Sequence, residues 1–226
     1  MSLSKRYAVI VAGGKGLRMN SDLPKQFMEL KGIPVLMHTV NAFFLVDSSI
    51  EIILVLPKEH HEYWRLLVEK YDFKVPHTTV SGGASRFQSV KNGLSTINGT
   101  GLVAIHDGVR PLISTDVIEN AYQIAAKSTS AITVVASKDS IREITEDGTK
   151  SVDRNKYYLV QTPQTFDVQA LKRAYHAEEK AYFTDDASVF EDSGGKVSLV
   201  SGDYKNIKIT TPEDLVIAAC FIEFQK

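Results

Sequence analysis

From Tyr7 to Ser137, short apolar runs alternate with segments of helical period, and this alternation narrows the possible architectures more than any other feature. Tyr7–Ala12, Ile50–Leu56, Leu102–His106 and Ala131–Ser137 are near-continuous and rich in β-branched residues, as expected of strands covered on both faces. Val75–Val80 is a weaker strand of the same series. Between them Val35–Val46, Glu59–Lys70, Ala84–Leu94 and Ser114–Lys127 carry helical spacing, for instance Leu36, Val40, Phe43 and Phe44. Strands alternating with helices imply an α/β fold, a mostly parallel central sheet with helices on both faces. Ligands of such sheets bind in the crevice beyond the carboxyl ends of the strands. The glycine turn after Ala12, Gly82-Gly83 and His106-Asp107-Gly108 all fall at such ends and are expected to converge.

The first turn has the richest chemistry. Ala12-Gly13-Gly14-Lys15-Gly16-Leu17-Arg18-Met19 is followed by Leu23-Pro24-Lys25-Gln26. Glycine lets backbone N–H groups approach a ligand closely and form an anion-binding nest. Arg18 and Lys25 add two cations, so the parts suit a triphosphate and the charge that develops on it. A Walker loop needs Gly-x-x-x-x-Gly-Lys-Ser/Thr, and Lys15 is followed by Gly16 and Leu17, which excludes it. Met19 stands where the dinucleotide fingerprint needs its third glycine, which disfavours a nicotinamide dehydrogenase.

Ala-Gly-Gly-x-Gly-x-Arg-Met with x-Pro-Lys-Gln resembles the signature of nucleotidyltransferases acting on sugar or sugar-alcohol phosphates. More narrowly, the chain is similar to the 2-C-methyl-D-erythritol 4-phosphate cytidylyltransferase family of the non-mevalonate isoprenoid pathway. The resemblance runs from about Tyr7 to Leu215 with the motifs in order. It implies a Rossmann-like nucleotidyltransferase fold and cytidylyl transfer from CTP to a polyol phosphate. Arg18, Lys25 and Lys208 would then be catalytic, with Ala12, Gly13, Gly14, Gly16, Gly82, Gly83, Ser89 and Asp107 binding the nucleotide.

Each further motif has a plainer reading beside the functional one. Gly82-Gly83-Ala84-Ser85-Arg86-Phe87-Gln88-Ser89 is a glycine turn entering a helix, with Arg86 solvated. In the family such a turn reads the base, and many relatives carry Asp where Ala84 stands. Asp107 and Arg110 could simply pair across a turn. Asp107 also suits Mg²⁺, which takes one or two carboxylates plus substrate phosphates, and Arg110 then holds the acceptor or orients Asp107. His106 is read as structural, because a phosphate monoester, with a second pKa of about 6, needs no general base near pH 7. Lys208, in Asn206-Ile207-Lys208-Ile209-Thr210, is a surface lysine by pattern and a phosphate ligand by resemblance. Asp203 is a candidate second metal carboxylate on the same basis.

After Ser137 the alternation breaks. Ser140–Thr145 and Lys150–Val160 flank Asp147-Gly148, a turn pair that supports a hairpin. A lone two-stranded hairpin is marginal in water, and its return strand carries Tyr157, Tyr158, Leu159 and Val160. Residues 138–160 are therefore expected to form an arm that makes a homodimer. By resemblance Ser140 and Arg154 on that arm, with Arg110 and Lys208, bind the acceptor. A helix is expected over Val168–Lys180, then short strands at Val197–Val200 and Ile207–Ile209. A last helix opens at Thr211-Pro212-Glu213-Asp214, with N-cap, N1 proline and first-turn acids.

With no linker, repeat or charge block, residues 1–226 are expected to form a single domain. A net charge of −1 points to no nucleic-acid partner, and no apolar run is long enough for a membrane span. The single cysteine, Cys220, excludes a disulfide framework and is read as a small buried hydrophobe. With no leader discernible in Met1–Arg6, the expected location is the cytoplasm. Two rivals stay open: a ribitol 5-phosphate cytidylyltransferase, and a non-catalytic nucleotide sensor. Val152-Asp153-Arg154-Asn155 and Thr184-Asp185-Asp186-Ala187-Ser188 favour the erythritol enzymes over the first. Arg18, Lys25, Asp107 and Lys208 together argue against the second.

Overall fold

The structure, a computed structural model, describes residues 4–14 and 23–223. Their strands form a seven-stranded sheet in the order β11-β7-β10-β6-β1-β4-β5: Leu199–Ser201, Ser130–Ala136, Tyr158–Asp167, Leu102–Asp107, Arg6–Val11, Glu51–Leu56 and Thr78–Ser81. All neighbours are parallel except β10, which runs antiparallel between β6 and β7. Two small antiparallel pairs complete the strands, β2 (Glu29–Leu30) with β3 (Ile33–Pro34) and β8 (Arg142–Thr145) with β9 (Gly148–Ser151). The mostly parallel α/β reading holds, and the antiparallel insertion of β10 goes beyond it.

The period-2 pleat sends alternate residues of each strand into two cores. Ala8 and Ile10 of β1 join a core with α1 (Val35–Val46), α2 (His61–Lys70) and α4 (Thr115–Ser128). Tyr7 and Val9 face the opposite core with α3 (Arg86–Ser95), α5 (Val168–Ala174) and α6 (Asp186–Asp192). Fully buried side chains such as Leu36, Phe43, Leu54 and Phe166 each contribute about 1.5–3 kcal/mol by leaving water. The apolar runs are continuous because both faces of the sheet are covered.

Helix starts follow local chemistry. Ser85 accepts from Gln88 N–H at the head of α3, Ser114 from Val117 N–H at α4, and Asp167 from Ala170 N–H at α5. Asp185 and Ser188 form a reciprocal capping box on α6. At α7 (Pro212–Glu223) Asp214 Oδ2 accepts from the N–H groups of Thr210 and Thr211, as the Thr-Pro-Glu-Asp pattern predicts.

Four expectations need correction. The hairpin is shorter than 138–160: it ends at Ser151, and Arg154–Lys156 form a 3-10 turn. Tyr158, Leu159 and Val160 instead pair with Ala136, Val135 and Val134, so they are the exposed start of a central strand. Helix α5 stops at Ala174, short of Lys180: the His176 and Ala177 N–H groups turn back onto the Arg173 and Ala174 carbonyls, and α6 follows as a separate helix capped by Asp185. Residues 207–209 form no strand; Ile209 N–H donates to the Val109 carbonyl as an isolated contact. Cys220 is exposed on α7, where helical spacing puts it with exposed Val216 and Ile217.

Candidate active site

The carboxyl ends of β1, β6 and β5 open into one cleft of ≈ 520 Å³. Val11, Ala12, Gly13, Gly14, Lys25, Gln26, Gly83, Ala84, Arg86, Ser89, Asp107, Val109, Lys208 and Thr210 are among the residues that line it. Parallel register explains the convergence: Val11 at the end of β1 lies beside Asp107 at the end of β6. Gly108 N–H then donates to the Val11 carbonyl (2.8 Å), tying the two ends together. A Cβ on Gly108 would lie 2.8 Å from Ala12 Cβ, so only glycine fits this approach.

Asp107 is the electrostatic centre. Lys208 Nζ lies 3.0 Å and Arg110 Nε 3.4 Å from its Oδ2, while Arg86 Nε lies 3.7 Å from Oδ1. Burial alone would push the carboxyl up, but Arg86, Lys208 and Arg110 together hold it well below the usual carboxylate range. Asp107 is therefore an anion at any physiological pH. Burial likewise works against the Arg86 charge, and Asp186 followed by Asp107 outweighs it and raises its pKa.

A buried polar scaffold supports this centre. Asp107 N–H donates to Thr162 Oγ1 (3.0 Å), which lies 3.1 Å from His106 Nδ1. His106 Nε2 lies 3.4 Å from the Arg110 carbonyl. Burial is the main force lowering the His106 pKa to about 3, so the ring is neutral and structural, as expected. Asn206, wholly buried, donates through Nδ2 to the Thr162 carbonyl (2.9 Å) and to Gln161 Oε1 (3.2 Å). Its own carbonyl accepts from Arg110 Nη1 (2.7 Å).

Several expected residues meet here and others do not. Ala12, Gly13, Gly14, Gly83, Lys25, Ser89, Asp107 and Lys208 share the cleft. Gly16 and Arg18 lie outside the described residues. Gly82 stands behind the lining, its N–H donating to the Leu56 carbonyl. The Ser89 hydroxyl accepts from Gly83 N–H (3.1 Å) and donates to the Ser85 carbonyl (2.8 Å), which fastens the glycine turn. Arg110 is buried beneath Asp107 and absent from the lining, which fits the orienting role better than direct acceptor contact. Ser140 and Arg154 are exposed and outside the lining, Arg154 donating to the Lys138 carbonyl. Asp203 also lies outside the lining, its Oδ1 accepting from Lys205 N–H.

Sequence reading assigned no role to Gln26, Thr162, Asn206 or Asp186. Gln26 is buried at the cleft with Nε2 donating to the Ala12 carbonyl. Asn206 and Thr162 stand within motifs quoted for their neighbours, and nothing in linear order shows that they touch. Asp186 pairs with Arg86 across 100 positions.

A nucleotide-sized cleft at the carboxyl ends of a parallel sheet, with a glycine turn, lysines and one ringed carboxylate, defines a nucleotidyltransferase of the α/β class. Comparison with known proteins narrows the class. The family described as 2-C-methyl-D-erythritol 4-phosphate cytidylyltransferase matches residues 7–224. Enzymes of that name from Bacteroides fragilis and Phocaeicola vulgatus are each 52% identical over 217 residues, 96% of this chain and 99% of theirs. A crystal structure of the 4-diphosphocytidyl-2C-methyl-D-erythritol synthase from Anaerococcus prevotii is 34% identical, with a TM-score of 0.83, covering 97% of this chain and 96% of that one. The cytidylyltransferase structure from Thermus thermophilus is 27% identical with a TM-score of 0.78, covering 97% and 99%. The chain belongs to the 2-C-methyl-D-erythritol 4-phosphate cytidylyltransferase family.

Proposed function

We infer that the chain carries out its family's reaction: CTP and 2-C-methyl-D-erythritol 4-phosphate give 4-diphosphocytidyl-2-C-methyl-D-erythritol and pyrophosphate. A phosphate oxygen of the acceptor attacks the α-phosphorus of CTP in line and forms the new P–O bond. The bond to the β-phosphate bridging oxygen breaks, and pyrophosphate leaves with that electron pair. The acceptor is largely dianionic near pH 7, so no base is required. Catalysis then rests on positioning and charge stabilisation.

The observation that carries this reading is the grouping of Lys208 and Arg86, with Arg110 beneath, around ionised Asp107, which shares its cleft with Lys25 and the glycine turn. Lys25 and Arg18 would hold the triphosphate and its developing charge. Lys208 would meet the reacting phosphates, and the turn at Gly82-Gly83 would read cytosine. Among the described residues no three His, Cys, Asp or Glu side chains cluster as metal ligands. A lone ionised carboxylate fits Mg²⁺, which draws its remaining ligands from phosphates and water. Asp107 would hold that ion, which supplies neutralisation of phosphate charge when bound.

Ser140 and Arg154 would complete the acceptor site across a homodimer. Tyr157, Tyr158, Leu159 and Val160 are 45–54% exposed and Ile144 is 86% exposed, apolar side chains that a second subunit would cover. Exchange of the 138–160 segments would give a C2 dimer with two equivalent shared sites. No helix of the described residues is long and apolar enough to cross a membrane; a single-domain cytoplasmic enzyme without nucleic-acid partners fits that and the near-neutral charge. The test is pyrophosphate release from CTP or UTP with methylerythritol phosphate or ribitol 5-phosphate. We expect CTP with methylerythritol phosphate to dominate; equal or better turnover of ribitol phosphate would overturn the acceptor.

A further inference from the structure

Asp186 is wholly buried, at the first position of α6, and the reaction as read above makes no use of it. Its Oδ2 accepts from Arg86 Nη2 (2.6 Å), and its Oδ1 accepts from Arg86 Nη1 (3.1 Å) and the Tyr175 hydroxyl (2.6 Å). A buried ion pair of this kind is weak evidence of stabilisation, because desolvation costs several kcal/mol per ion. Its geometry has a consequence at the cleft. Both terminal nitrogens of Arg86 donate to Asp186, which fixes the guanidinium, and Nε stops 3.7 Å from Asp107 Oδ1, beyond hydrogen-bond length. Lys208 and Arg110 both engage the other oxygen, Oδ2. A guanidinium released from Asp186 could turn Nε–H and one Nη–H onto Asp107 side by side, the strong two-bond arrangement for a carboxylate.

We propose that Asp186 is a positioning residue that holds Arg86 back from Asp107, leaving Asp107 Oδ1 open to the divalent cation that arrives with the nucleotide. The proposal rests on the reading that Asp107 meets that cation. Tyr175 takes part by filling a further acceptor site on Asp186 and fixing its plane. Ser85 caps α3 and Asp185 caps α6, so both partners stand on helix heads whose positions are set locally.

The test is calorimetric titration with CTP, in excess Mg²⁺ and in EDTA, on wild type, Asp186→Asn and Tyr175→Phe. Asp186→Asn keeps the size of the side chain and loses its charge. In this variant Arg86 closes on Asp107, so Mg²⁺ should enhance CTP affinity about tenfold less than in wild type. In EDTA the variant should bind CTP more tightly than wild type, because the Asp107 charge is masked from the phosphates. Tyr175→Phe should shift both values in the same direction by less, and it carries the test if Asp186→Asn fails to fold. Arg86→Gln combined with Asp186→Asn should restore the Mg²⁺ enhancement, since no guanidinium remains to cap Asp107. A crystal structure of Asp186→Asn should place an Arg86 nitrogen within about 3.2 Å of Asp107 Oδ1. Equal weakening of CTP in Mg²⁺ and EDTA, or unchanged Arg86–Asp107 spacing, would overturn the proposal. Wild-type affinity that is indifferent to Mg²⁺ would instead overturn the cation reading, and the EDTA comparison and the crystal structure would still decide the role of Asp186.

Discussion

Replacing Asn206 by Ala tests whether the buried scaffold or Lys208 itself sets the geometry of the cleft. Asn206 Nδ2 supplies hydrogen bonds to the Thr162 carbonyl and to Gln161 Oε1, and its side chain has no solvent exposure. Loss of two hydrogen bonds at about 1 kcal/mol each gives a lower bound near 2 kcal/mol. Acceptors left dry in the interior raise this to about 4 kcal/mol, a large share of the 5–15 kcal/mol that holds a typical domain together. The same change frees the segment that carries Lys208, whose Nζ sits 3.0 Å from Asp107. A displacement of about 1 Å can cost up to about 10²-fold in rate, so kcat should fall by about tenfold to a hundredfold. Urea unfolding with unchanged m and pyrophosphate-release kinetics measure the two effects. Asn206→Asp, which keeps the volume but removes both donors, should be at least as damaging. Destabilisation below about 1 kcal/mol with wild-type kcat in the alanine variant would refute the scaffold argument.

Lys25→Ala should lower kcat by about 10²–10³ with a smaller change in the KM for CTP, as expected for loss of one preorganised charge partner; a raised KM at constant kcat would place Lys25 in ground-state binding. Mixing Arg154→Ala with Lys25→Ala should restore activity toward half of wild type per mixed dimer, because one of its two sites would then combine an intact loop with an intact arm. Verified subunit exchange without recovery would confine Arg154 to its own chain. The His106 pKa is depressed from 6.5 to about 3, so its contribution to stability is complete above pH 6.5 and is lost as pH falls toward 3. Between pH 7 and 5 wild type should lose about 2 kcal/mol more than His106→Asn in urea unfolding, and the native His106 ring should show no NMR titration above pH 4.5; a midpoint near 6.5 would contradict its neutral burial.

Linear order determined what depends on neighbours along the chain. The continuous apolar runs at Tyr7–Ala12, Ile50–Leu56 and Leu102–His106 marked buried strands, and their alternation with helices placed their carboxyl ends together. Gly13 and Asp107 were legible because each stands in a short motif whose local chemistry suits a phosphate or a cation, whereas Gly83 and Lys208 were singled out through the family resemblance. Helix starts at Ser114 and Thr211-Pro212 were legible because a cap is satisfied within three or four residues.

Tertiary structure alone decided what depends on distant partners. A strand pattern shows burial but not direction, so the antiparallel entry of β10 between β6 and β7 could not be read, and Tyr158–Val160 passed for part of the hairpin. The burial of Arg110 and the exposure of Cys220 follow from which helix and loop cover them, not from residue type. Asp186 reaches Arg86 across 100 positions, and Asn206 reaches Thr162 across 44. Hydrogen bonds and ion pairs act over a few ångströms of space regardless of separation along the chain. Many of the residues that line the cleft were therefore visible in the sequence, and those that hold them in place appeared only when the chain was folded.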